Sequence, residues 1–237
     1  MRKTRIIAAV VGLVAGLFLV APPAAAQDPY PTCDLPESDA DAIYVLNAIY
    51  PNRYVWDDAT ITVAVQAAPN VDQAYADAAQ DAIAAWSAVI ADCFDGLITL
   101  TDVTDEDTTA QSADIVLHYV PNAGGSVFAG YAVCGANGCP NILVRSDFSP
   151  GIGIEDYSAQ YFFYVTLHEL GHALGLGHAT NLTESTDLMG YGWIGDQPDP
   201  LFSQCDLDAF AYIWSWALDG SGSSDPGPSD LALTFDC

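Results

Sequence analysis

Residues 168–178 read HELGHALGLGH, and no other stretch constrains the fold as tightly. It holds three of the four histidines in the chain. The apolar run YFFYVTL before it continues into it as one helix of roughly 158–174. On that helix His168 and His172 are four positions apart and share a face, within reach of a single ion. Glu169 is one step round and stands beside the ion without binding it. Gly175 takes the backbone angles that end a helix. The chain then turns and brings His178 back as a third imidazole. Three neutral imidazoles leave a fourth position for water, which is the arrangement of a catalytic zinc site and not of a closed structural one. Zinc lowers the pKa of water bound to it to roughly 7. Glu169 can take that proton as the water attacks a peptide carbonyl, and then give it to the leaving amine. The competing reading is an amphipathic helix whose histidines carry no metal.

The ends of the chain read differently from its middle. Arg2, Lys3 and Arg5 open a basic start, Ile6 to Val20 is apolar, and Ala24-Ala25-Ala26 supplies small residues for cleavage. That order reads as a secretory signal peptide over 1–26. The alternative is a membrane anchor, but a run of about 15 residues falls short of the roughly 20 that span a bilayer. The expectation is a secreted, extracellular protein with no membrane attachment once the leader is gone. Residues 27–51 form a short N-terminal segment, a candidate pro-segment, with a short helical pattern in DADAIYVLNAIY. Residues 52–218 carry the catalytic domain, and 219–237 is a Gly/Ser/Pro-rich tail ending in Cys237.

Composition narrows the partners. The formal net charge is −26, and without the leader only Arg53 and Arg145 stand against 31 acids. Such a surface repels nucleic acid and anionic membranes. Clustered carboxylates also make calcium a candidate second ion beside zinc. A solvated acidic coat is the plainer account of the same charge. The six cysteines, in an exported chain, read as up to three disulfides. CGANGC at 134–139 reads as a local loop closed by one of them.

Along the chain, VWDDATITVAVQ (55–66) alternates as a strand does, and 70–93 is Ala-rich with helical period, capped by Asn70 or Asp72. GLITLTDV, ADIVLHYV, GYAVC and NILVRS supply further strands, 176–203 reads as irregular, and 203–218 is a last helix with Ser203 as its cap. Strands with one helix among them, followed by helices, place the chain in the α+β class as a single domain.

The spacing H-E-x-x-H-x-x-G-x-x-H is that of the metzincin metalloproteases, and the chain resembles a matrixin-like catalytic domain. The resemblance implies a methionine turn beneath the zinc. TDLMGYGW supplies Met189, the sole methionine after Met1. VDQAYADAAQDAIAAWSAVI, SADIVLHYV and FSQCDLDAFAYIW are similar to the first helix, third strand and closing helix of matrixins, so the likeness spans about 52–217. It implies a mixed, twisted sheet of about five strands, two long helices and a C-terminal helix. A zinc cleft would lie between an upper part and a smaller lower part after Gly175. It also implies a substrate strand laid along an edge such as GYAVC.

The chain departs from matrixins too. Ala179 stands where they usually carry Ser, and His118 alone is left over, so no second structural zinc is expected. His118 reads as a strand residue without catalytic duty. Tyr191 sits where astacins and serralysins place a tyrosine that can ligate zinc. It is a candidate fifth ligand or oxyanion donor, or simply a packing residue. PTCDLPESD loosely resembles the matrixin cysteine switch, which makes Cys33 a candidate latch. The alternative is that Cys33 is disulfide-bonded, with Cys237 as one partner. The implied function is a secreted zinc endopeptidase, monomeric, acting on protein or peptide substrates. The alternative is an acidic, disulfide-tied extracellular binding module with a non-catalytic zinc site.

Overall fold

The computed structural model describes residues 35, 40–49, 56–67, 69, 71–104, 112–120, 129–135, 138–145, 159–180, 187–190, 202–218 and 231–237. Five strands form the main sheet: β2 (Thr60–Ala67), β3 (Thr99–Asp102), β4 (Ile115–Val120), β5 (Gly130–Gly135) and β6 (Gly138–Arg145). Their order is β3-β2-β4-β6-β5, with β5 antiparallel at one edge and the other pairs parallel. The α+β class and the mixed five-stranded sheet expected from the sequence are thus observed. GYAVC lies on an edge strand, also as expected.

Two helices cover one face of this sheet. The first, α2 (Gln73–Cys93), joins the parallel neighbours β2 and β3. Its start is fixed by Asp72, whose side chain accepts from the Ala74 N–H. Its apolar stripe, Ala79, Ile83, Trp86 and Ile90, is fully buried. The second, α3 (Ala159–Ala173), carries two of the histidines. Register puts Val63, Ile115, Leu117, Ile142, Tyr119 and Val144 on the face beneath these helices, and all six are buried. Phe162 of α3 stacks on Tyr75 of α2 and packs on Tyr119 of the sheet. The hydroxyl of Tyr119 also bonds that of Thr166, which ties α3 to the central strand.

The lower part is more ordered than the sequence implied. A second, three-stranded sheet has the order β7-β1-β8, built from β1 (Ala42–Val45), β7 (Leu176–Ala179) and β8 (Thr234–Asp236). The helical pattern read in DADAIYVLNAIY is corrected here. Only Leu46–Ile49 turns as a helix (α1), while Ala42–Val45 is strand. Ala42, Ile43 and Val45 are buried and Tyr44 is exposed, and strands on both flanks satisfy the backbone. The irregular reading of 176–203 likewise gives way at β7, and the end of the expected tail returns as β8. The segment 219–230 itself lies outside the described residues, as do 27–34. The last helix divides into α4 (Gln204–Ile213) and the short α5 (Ser215–Leu218). No helix among the described residues is long and apolar enough to cross a membrane.

Three tryptophans lock α3 in place. Trp86, Trp56 and Trp214 donate their indole N–H groups to the carbonyls of Leu167, Ala173 and Leu174 at 2.8, 2.9 and 3.0 Å. The last two carbonyls belong to a helix terminus, where no intrahelical partner exists. Trp214→Phe keeps an aromatic ring but leaves the buried Leu174 carbonyl unmatched. It should lower stability by about 2–3 kcal/mol in urea titration. An unchanged midpoint would show that the indole bond holds nothing.

Candidate metal centre

The end of α3 governs the site. The helix stops at Ala173, and Gly175 adopts φ 107°, a conformation that a side chain resists. Its N–H closes on the His172 carbonyl at 3.0 Å, and its own carbonyl accepts from Leu46 N–H at 2.9 Å. The chain leaves this bend as β7 and presses against β1. A Cβ on Gly177 would lie 2.6 Å from Tyr44 Cβ and 2.7 Å from the Tyr44 carbonyl oxygen, so the contact needs glycine. His178 follows at once.

This path brings His168, His172 and His178 together. One nitrogen from each lies within 4.8 Å of the other two, and Glu169 is not part of that cluster. The ring centroids are 4.6, 4.6 and 5.2 Å apart. His168 Nδ1 donates to the Leu188 carbonyl at 2.8 Å and His172 Nδ1 to the Leu176 carbonyl at 2.7 Å. A carbonyl only accepts, so in both rings the proton sits on Nδ1 and Nε2 is the unprotonated nitrogen. The Nε2 atoms of His172 and His178 are 3.1 Å apart.

Electrostatics favour the ligating form. Burial drives the His168 pKa well below its ordinary value, with the neighbouring His172 and His178 adding to this and the Leu188 bond opposing it. Burial lowers His172 against the pull of the Leu176 bond, and takes His178 down to about 3 with the help of His172. Neutral imidazoles crowded with inward lone pairs are a donor set for a cation such as zinc.

Glu169 completes the fit. It is 6% exposed, and its Oε2 is the one buried side-chain polar atom among the described residues without a hydrogen-bond partner. Burial pushes its pKa up to about 8, while the N–H of Ala132 on β5 draws it down. A Cβ on Gly130 would come within 2.8 Å of Glu169 Cγ, so the edge strand runs hard against the glutamate. A buried carboxyl with one oxygen left unpartnered would be stabilised in its charged form by a positive charge placed against it.

Met189, the neighbour of the Leu188 whose carbonyl holds His168, is fully buried. A Cβ on Gly171 would sit 2.5 Å from its sulfur, so α3 can lie on this methionine because residue 171 has no side chain. Asp206 holds the turn from below. Its carboxylate accepts from the N–H groups of Leu188, Met189 and Ser203 at 3.1, 3.3 and 2.9 Å and from the Ser203 hydroxyl at 3.0 Å. Burial raises its pKa to about 6, helped by Asp187 and opposed by these donors. Sequence reasoning found Ser203 as a cap but missed this role of Asp206. The signal was the capping-box spacing Ser203-x-x-Asp206 ahead of an apolar run.

Of the remaining candidates the structure describes only His118, which is not part of this cluster. His118 lies on β4 and donates from Nε2 to the Asn141 side chain at 2.9 Å. Tyr191 and Cys33 lie outside the described residues. The pairing of Cys33 with Cys237 is corrected, since Cys237 is bonded to Cys205. Cys93 and Cys134 are also disulfide-bonded, and no described cysteine is free.

Comparison with known proteins adds a partial likeness. The chain is 30% identical over 113 residues to interstitial collagenase A of Mus musculus, covering 41% of this chain and 24% of that protein. The chain therefore spans about a quarter of that relative's length. No family profile matches it. Among solved structures, a chain of the GM1-bound form of the ECX AB5 holotoxin aligns over 82% of this chain and 88% of its own. Its identity is 13% and its TM-score 0.38, and at that score the likeness carries no argument.

Two outcomes follow from this geometry. Gly171→Ala should cost about 1–3 kcal/mol by overpacking against Met189. The same change made in a Met189→Ala background should be neutral or stabilising, which a double-mutant cycle of urea midpoints reads directly. The second outcome concerns pH. The folded pKa of Glu169, about 8, lies above its ordinary 4.5, so between these values the folded state keeps a proton that the unfolded state has released. Stability from this group is full at low pH and is lost as pH rises. Metal-free protein should therefore lose about 1 kcal/mol between pH 7 and 8. Glu169→Gln should not show that loss, and equal slopes would contradict the assignment.

Proposed function

We propose that the protein is a secreted zinc endopeptidase of the metzincin type, with a matrixin-like catalytic domain, that hydrolyses peptide bonds of extracellular proteins. The observation that carries this reading is the convergence of three neutral imidazoles, with the buried Glu169, one of whose carboxyl oxygens has no hydrogen-bond partner, next in the chain to His168. The HELGHALGLGH spacing, the buried Met189 packed on α3 and the stretch shared with a collagenase support it.

His168, His172 and His178 would hold the ion. Bound there, zinc supplies a Lewis acid that acidifies a water and polarises the substrate carbonyl. The chain's own residues provide the rest. β5 offers an edge on which an extended peptide can add as one more strand, with the exposed Val133 along it. The same strand touches Glu169 through Ala132 N–H and Gly130, so a peptide paired to it is delivered beside the carboxylate. Glu169 accepts the proton that the attacking water gives up and passes it to the leaving amine. The Nδ1 bonds of His168 and His172 keep both rings turned inwards throughout.

Glu169→Gln should lower kcat/KM for a peptide substrate by about 10²-fold or more, as loss of a general base does. Zinc content measured by mass spectrometry should stay at that of the parent protein. A chelator should abolish cleavage and added zinc should restore it. A variant that cuts peptides at the parent rate would remove Glu169 from the mechanism. A zinc-loaded parent protein that cuts no peptide would favour the binding module instead.

A further inference from the structure

We propose that β8 and the Cys205–Cys237 bridge form a clasp that positions His178 for the metal. The inference rests on the metal-site reading above and adds positioning residues to it. His168 and His172 stand on a long helix anchored in the main core. His178 stands on β7, four residues long, whose neighbour in the small sheet is β1. A pair of four-residue strands is marginal on its own. β8 supplies the third strand on the far side of β1, pairing Ala42 with Asp236, Ile43 with Phe235 and Tyr44 with Thr234. Two more bonds extend the seam, from Val45 N–H to the Leu233 carbonyl and from Cys237 N–H to the Asp41 carbonyl.

The bridge returns this support to the other side of the site. Cys237 is bonded to Cys205 on α4, the buried residue next to Asp206. Asp206 holds the backbone of Leu188 and Met189. The Leu188 carbonyl orients His168, and the Met189 carbonyl accepts from Ala179 N–H, directly after His178. β7, β1, β8, the disulfide, α4 and the methionine turn thus close a ring of contacts around the three imidazoles. Opening it at the sulfur bridge frees β8, then β1, and leaves His178 the least supported ligand.

The test uses the full chain, the Cys205→Ser/Cys237→Ser double variant and a chain ending at residue 230. Zinc affinity is measured by competition with a chromophoric chelator, and the coordination of bound cobalt by its visible absorption. Disturbing the partner of a ligand typically weakens metal binding by about 10–100-fold, and both variants should fall in that range. The clasp should also be coupled to His178 alone. His178→Ala should cost less affinity in the double variant than in the parent, while His168→Ala should cost the same in both. A parent protein that binds no zinc removes the metal-site reading and the clasp with it. A parent that binds zinc, with variants of equal affinity or with additive losses at His178, overturns the clasp and leaves the metal site standing. If the truncated chain does not fold, the double variant decides, since it replaces only the two sulfurs. Failure of that variant to fold would make the bridge a staple of the whole structure and overturn the local role.

Discussion

The structure depends on one backbone event, the reversal at Gly175. A helix can place two imidazoles on one face, but it cannot place a third on the same point in space without ending. With Gly175 at φ 107° the helix ends at Ala173, one residue after His172, and the chain returns as β7. The two glycines that flank this reversal serve it in different ways. Gly171 lets Met189 pack against α3, and Gly177 lets β1 close over the returning strand. Each missing side chain is a close approach that the cluster needs.

Around that reversal the fold spends its buried polar groups on fixing positions. Three indoles match carbonyls along the histidine helix, two of them at its frayed end. Two carbonyls fix the histidine tautomers. One aspartate gathers the amides of the methionine turn. Every one of these groups has its partner, which is what removal from water demands. The exception is one oxygen, Oε2, of Glu169, the residue next to His168. Burial in these surroundings also explains why the rings shed their protons and the acid holds one, so both are poised to exchange those states when a cation arrives.

Much of this was legible in the sequence, and the limits were physical. α2 showed because a long stripe of Ala, Ile and Trp repeats at helical period under a capping Asp72. α3 and the histidine pattern showed because spacing on a helix translates directly into direction. β1 did not. Four residues, three of them buried, sit against a helical turn, and only strands from distant parts of the chain make them a strand. β8 was hidden for the same reason, behind a Gly/Ser/Pro-rich stretch. The disulfide partner of Cys237 could not be read because pairing depends on three-dimensional proximity. Asp206 stood at capping-box spacing from Ser203, but its hold on the amides of Leu188 and Met189, far off in the chain, has no signature in the sequence.

Zinc held by His168, His172 and His178 would have three imidazole nitrogens and one solvent oxygen around it. X-ray absorption at the zinc edge of the purified protein measures that shell directly. The expected spectrum is four nitrogen or oxygen neighbours at about 2.0–2.1 Å with the outer scattering of three imidazoles, one of which disappears in His178→Ala. A sulfur neighbour at about 2.3 Å, or an imidazole count that His178→Ala leaves unchanged, would contradict it.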